Sequence, residues 1–181
     1  MVYVFLADGF EEMEALAPVD IMLRAGIEVT TVGITGEYVT GSHGIVVRAD
    51  TTEFAMNESV ELIVLPGGGQ GTANLGASQR VRDAIEYSKK NGVKMAAICA
   101  APSVLGENGA LVGKKAACFP SAAFTDKLNC AEYVSDGVCA DGGVITARSA
   151  GHAASFGIEL VRQLRGEEAA QSVYTEIYQN A

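Results

Sequence analysis

The chain has none of the cysteine spacings that mark a zinc or thioredoxin-type site. Its four cysteines, Cys99, Cys118, Cys130 and Cys139, form no C-x-x-C pair, which removes the usual metal and dithiol patterns. No apolar run approaches the ~20 residues of a membrane span. Basic charge is scarce, with 13 Lys and Arg against 22 Asp and Glu and a net charge of −9. Grip on a nucleic-acid backbone or an anionic membrane needs clustered Lys and Arg, so neither partner is expected. Residues 1–7 are apolar without a basic leader, and residues 8–14 are acidic where a signal-peptide cleavage site needs small side chains. A reducing cytoplasm with free thiols is the expected setting. A Gly-Lys-Ser/Thr P-loop is also missing. The glycine run Gly67-Gly68-Gly69-Gln70-Gly71 lacks both G-x-G-x-x-G spacing and an acidic residue ending the next strand, so no nucleotide cofactor is expected.

What is present suits one compact domain over 1–181, with 49% hydrophobic and 19% charged residues. Residues 2–6 are β-branched and aromatic and read as a central strand. Asp8 and Glu11 have capping-box spacing for a helix reaching about Arg24, stopped by Gly26. Pro18 inside it predicts a kink and a free carbonyl at Glu14. Residues 27–34 predict a second strand, and 39–48 a hairpin at the sheet edge. Residues 61–65 form a continuous apolar run, like a strand buried on both faces. A helix follows over 78–91. Residues 94–98 predict a strand, with Pro102 opening the helix after it. Between 115 and 141 the pattern supports only a short helix near 122–128 and two small strands. Residues 144–147 predict another strand, 153–165 a helix closed by Gly166, and 167–178 a last helix. Strands alternating with helices define an α/β fold with a mainly parallel sheet covered on both faces. Ligands gather at the carboxyl ends of such strands. Three loops lie there: 8–14, 66–71 and 99–102.

Cys99 sits where the strand turns into the helix, with small Ala97 and Ala101 two residues either side. This is the pattern of a nucleophile elbow with sulfur in place of a hydroxyl. A helix N-terminus beside the sulfur would lower its pKa and favour thiolate; a small inert core cysteine is the alternative. The glycine run would expose backbone N–H groups to a developing oxyanion beside the sulfur, or form a tight turn, and the two are compatible. Glu11 and Glu12 read as complements to the helix dipole. Glu14, a turn further in, would have its pKa raised if buried against Cys99, leaving a carboxylic acid that shares a proton with the thiolate. His43 and His152 are the only histidines. His43 reads as a surface or hydrogen-bonded residue. His152, after a strand end, either does the same or looks into the Cys99 crevice.

Three segments, Phe10-Glu11-Glu12-Met13-Glu14, Leu65-Pro66-Gly67-Gly68 and Ala97-Ile98-Cys99-Ala100-Ala101-Pro102, together resemble the motifs of the DJ-1/ThiJ/PfpI superfamily, in its DJ-1 branch. The likeness continues through Pro18-Val19-Asp20, Arg24-Ala25-Gly26 and the C-terminal helices. It implies a flavodoxin-like three-layer α/β sandwich and a homodimer packed partly through the first helix. It further implies Cys99 as nucleophile, Glu14 as its protonated partner and general acid/base, and the N–H groups of Gly68 and Ala100 as the oxyanion site, with Gly67 beside them. Arg24 and His43 match family positions near the dimer interface that can bind an anion. The implied activities need no cofactor: conversion of methylglyoxal or glyoxal to the hydroxy acid (glyoxalase III type), deglycation of early glycation adducts, or cysteine-oxidation sensing with chaperone-like effects. Phe119 stands where many members carry a histidine before a proline, and Ser149-Ala150-Gly151-His152 stands in place of the family's Gly-Pro-Gly-Thr loop.

Overall fold

The computed structural model describes residues 1–178. Its centre is a six-stranded sheet in the order β2-β1-β5-β6-β10-β9. β1 (Val2–Leu6), β2 (Val29–Gly33), β5 (Leu62–Leu65), β6 (Lys94–Ile98) and β10 (Val144–Ala147) run parallel, and β9 (Val138–Asp141) closes one edge antiparallel to β10. Every residue of β1, β5 and β10 is buried, as a sheet covered on both faces requires. Alternation along β1 divides the core: Val2, Val4 and Leu6 face one apolar layer, Tyr3 and Phe5 the other. The first layer is completed by α1 (Glu12–Arg24), α6 (Ala153–Arg165) and α7 (Glu167–Tyr178), through residues such as Met22, Phe156, Leu160 and Val173. The second is completed by α2 (Gly69–Ala77), α3 (Gln79–Asn91) and α4 (Pro102–Glu107), through Leu75, Ile85 and Leu105. Three layers result, as expected. Among the described residues no helix is long and apolar enough to cross a membrane.

Several expectations are corrected. No capping box joins Asp8 to Glu11. Glu11 is itself the N-cap of α1 and accepts the Glu14 N–H at 2.9 Å, while the Asp8 carboxylate accepts the Thr40 N–H at 2.8 Å. α1 reaches Arg24 as expected, with Pro18 inside it, and α6 approaches so closely there that a Cβ on Gly157 would lie 3.1 Å from the Pro18 Cα. The hairpin of β3 (Tyr38–Thr40) and β4 (Val46–Arg48) forms, but as a two-stranded sheet of its own. The glycine run is not only a turn: α2 starts at Gly69. Finally, β7 (Lys115–Ala117), unanticipated, pairs parallel with β8 (Glu132–Val134), and the short helix α5 covers only Ala122–Thr125.

Candidate active site

Three chain segments meet at the carboxyl ends of β1, β5 and β6. Cys99 follows β6 with φ +63°, a left-handed conformation that costs a side chain such as cysteine about 1–2 kcal/mol. The surrounding hydrogen bonds hold it there. Its N–H donates to the Ala147 carbonyl at 2.9 Å and its carbonyl accepts the Phe119 N–H at 2.8 Å. The buried Cys118 thiol donates to that same carbonyl at 3.1 Å. At about 1 kcal/mol net for a typical hydrogen bond, these offset the strain. The chain then turns through an Ala101 N–H to Ile98 carbonyl bond at 3.1 Å into α4, with Pro102 at its start. The elbow read from the sequence is therefore present, and the backbone N–H groups of Ala100 and Gly68 lie near enough to the Cys99 sulfur to favour its thiolate.

Glu14 reaches the sulfur from α1. The buried residues of that helix are Glu12, Glu14, Ala15, Pro18, Ile21 and Met22, an apolar stripe at helical spacing that carries two carboxyls in its first turn. Glu14 is 0% exposed. Its Oε2 accepts the Gly67 N–H at 3.0 Å, whereas Oε1 has no hydrogen-bond partner among the described residues. Gly67 must be glycine: a Cβ there would stand 2.4 Å from Glu14 Oε2 and 2.8 Å from the Cys99 Cβ. Burial is the main cause that lifts the Glu14 pKa from 4.5 to about 7; the Cys99 thiol and the Gly67 N–H oppose it.

The Cys99 thiol corrects the expectation from the helix end. Its pKa is raised, first by burial and then by the charge and hydrogen bond of Glu14, and the N–H groups of Ala100 and Gly68 only partly counter this. α4 spans six residues, and its short dipole is outweighed. Burial therefore keeps both the Glu14 carboxyl and the Cys99 thiol protonated to higher pH than either would be in water.

The remaining predicted residues lie elsewhere. His43, in the β3–β4 turn, donates its backbone N–H to Glu12 Oε1 and pairs through Nδ1 with Glu12 Oε2, both at 2.8 Å; the Glu12 hydrogen bond raises its pKa. Glu12 is no exposed dipole complement: it is buried, and although burial pushes its pKa up, the His43 hydrogen bonds bring it to about 2. Arg24 ends the same helix about 18 Å further along its axis and pairs with Asp20 and Glu176. Neither cation meets Cys99 within this chain's described contacts. His152 bonds to Ser149 Oγ at 3.2 Å and faces Asp136 at 3.4 Å; its described partners include neither Cys99 nor Glu14. Phe119 stands beside the elbow through its N–H and packs edge-on against Phe124, with ring centroids 6.5 Å apart. Glu11, Glu12 and His43 lie close enough to share a cation, but Glu12 and His43 already satisfy one another.

The fold and the arrangement around Cys99 define an α/β protein with a cysteine set on a strand-to-helix elbow beside a buried carboxyl group. Comparison with known proteins narrows that class. The model of the DJ-1/PfpI family matches residues 1–163, and the chain belongs to this family. It is 38% identical over 173 residues to Protein dj-1beta of Drosophila melanogaster, covering 94% of this chain and 92% of that protein. The crystal structure of Drosophila melanogaster DJ-1beta matches with a TM-score of 0.87 at 36% identity, covering 98% of this chain and 96% of that one, so the fold is the flavodoxin-like α/β sandwich. A Caenorhabditis elegans protein named glutathione-independent glyoxalase DJR-1.2 is 29% identical over 168 residues, 90% of this chain and 87% of that protein.

Proposed function

We propose that the chain is a single-domain, cofactor-independent enzyme in which Cys99 acts on 2-oxoaldehydes such as methylglyoxal, or on early glycation adducts, releasing the hydroxy acid. The observation that carries this reading is the convergence of two backbone N–H groups on a sulfur beside a buried carboxyl with one free oxygen. Glu14 takes the thiol proton as sulfur adds to the aldehyde carbon, and the oxyanion formed is held by the Gly68 and Ala100 N–H groups. Glu14 returns the proton to that oxygen, giving a hemithioacetal. As carboxylate it then removes the proton from the former aldehyde carbon and delivers it to the neighbouring carbon, while the hydroxyl proton passes to the neighbouring carbonyl oxygen. The first carbon ends as a thioester carbonyl and the second as a carbinol, so one carbon is oxidised as the other is reduced. Water hydrolyses the thioester, restoring the thiol, and no external oxidant or reductant enters.

A homodimer is part of the proposal. Along α1, Met13, Leu16 and Leu23 are exposed, Met13 by 58% and Leu23 by 54%, an apolar stripe that a second copy would cover. Such a copy could bring its own Arg24 or His43 near the site as an anion-binding group, with His152 a further candidate. Four free thiols fit a cytoplasmic setting. The test is production of lactate from methylglyoxal by purified protein without glutathione; no lactate above the uncatalysed rate refutes it. A protein that instead gains two oxygens at Cys99 under mild peroxide, without turnover, is an oxidation sensor, with protonated Glu14 donating to the sulfinate.

A further inference from the structure

A cavity lies at the other end of the sheet from Cys99, at the amino ends of β5 and β6. It measures about 370 Å³, within the range of small-molecule sites. Val60 and Glu61, leading into β5, line it together with Lys94, the first residue of β6. Tyr87 and Asn91 reach it from the last turns of α3, and Gln163 and Leu164 from α6. These helices cover opposite faces of the sheet, so the cavity spans both layers. Lys94 and Cys99 bracket β6 and stand about 16 Å apart along it. The cavity shares no lining residue with the elbow.

Lys94 is the exception among the chain's 13 Lys and Arg. Every arginine holds a carboxylate or carbonyl oxygen. Lys89, Lys90, Lys115 and Lys127 hold carboxylates, and Lys114 the Gly142 carbonyl. The Lys94 ammonium alone has no oxygen partner among the described residues, although Lys94 is half-buried in a chain of net charge −9. Glu61 in the same lining is taken, since Arg165 binds its two oxygens at 2.8 and 3.1 Å. A cation withdrawn from water without a counter-charge is costly, so Lys94 calls for an anion that the chain does not supply. The other polar groups call for donors. Asn91 gives its Nδ2 to the Tyr87 carbonyl and Gln163 its Nε2 to Glu159, both at 2.8 Å. Their side-chain carbonyl oxygens are left to accept, as is the exposed Glu58 carboxylate beside them. A phosphate or dicarboxylate would set like charge against these acceptors, and a simple amine would leave Lys94 unpaired. A zwitterion meets both demands. Val60, Val93 and Leu164 supply apolar lining for its side chain.

We propose that this cavity binds a free aliphatic α-amino acid, its carboxylate on Lys94 and its ammonium on the Asn91 and Gln163 oxygens and Glu58. The site is independent of any chemistry at Cys99. The test is titration of the isotopically labelled chain with L-leucine, followed through the amide NMR shifts of Gly92, Val93 and Lys94. Saturable shifts are expected at these amides. N-acetyl-L-leucine lacks the ammonium and L-leucinamide the carboxylate; each should bind about tenfold more weakly, because each loses a charge-assisted hydrogen bond. Lys94→Met keeps the apolar stem and removes the charge, and should weaken L-leucine binding to the same degree. Cys99→Ala should bind L-leucine as wild type does. Shifts that do not saturate, or equal binding of the three ligands, overturn the proposal, as does unchanged affinity in folded Lys94→Met. Loss of binding in Cys99→Ala would put the ligand at the elbow and overturn it too. The ligand series uses the unaltered chain, so it decides the matter even if Lys94→Met fails to fold. An inactive Cys99 with L-leucine bound would sink only the catalytic reading.

Discussion

Glu14→Gln should stabilise the protein at pH 8 and leave its stability at pH 5 nearly unchanged. Glu14 is fully buried, and its pKa rises from 4.5 to about 7 on folding because burial penalises the charged form. Between those values the folded chain binds more protons than the unfolded chain, so stability falls as pH rises through the window. At about 1.4 kcal/mol per pH unit the full effect is roughly 3 kcal/mol. Glutamine keeps an oxygen for the Gly67 N–H but places an amide beside the sulfur, so a net gain of about 2 kcal/mol at pH 8 is expected. For a chain of this size that raises Tm by about 4–8 °C. Thermal unfolding of both proteins at half-unit steps from pH 5 to 8 reads the effect directly. Parallel curves across that range would refute a carboxyl held neutral by burial.

Further outcomes follow from the same geometry. The kcat/KM for methylglyoxal should rise with pH through about 7, as Glu14 loses its proton, and Glu14→Gln should lose the rising limb with most of its activity. Gly67→Ala should lower kcat/KM at least a hundredfold and cost about 1–3 kcal/mol in urea unfolding, because the new methyl group displaces both Glu14 and Cys99. If α1 makes the dimer, Met13→Glu with Leu23→Glu should halve the mass found by light scattering while the far-ultraviolet spectrum stays unchanged.

Much of this was written in local pattern. The runs at Val2–Leu6 and Leu62–Leu65 are too apolar for anything but central strands, and small residues around Cys99 announce a sharp turn. Glu14 too was legible, as the carboxyl a turn further into the first helix than Glu11, but the burial of Glu12 beside it was not. Other features depend on distant partners. α2 carries Gly69, Gly71 and Gly76, which weaken a helix by about 1 kcal/mol each; it is held by burial of Leu75 and by the Gly71 N–H on the Gly9 carbonyl. β7 reads Lys-Ala-Ala without a β-branched residue and exists because β8 pairs with it. Asp8 has capping spacing, but Thr40, 32 residues away, claims its carboxylate. The thiol pKa depends on burial and on the charge of Glu14, neither of which a single segment displays.

The most direct test of the central claim is a methylglyoxal-to-lactate assay on wild type and Cys99→Ala, run side by side at pH 8 without glutathione. Wild type should convert methylglyoxal stoichiometrically to lactate, and Cys99→Ala, folded to the same spectrum, should form none above the uncatalysed rate. Undiminished lactate from Cys99→Ala would contradict the account, because no sulfur would then be needed at the elbow.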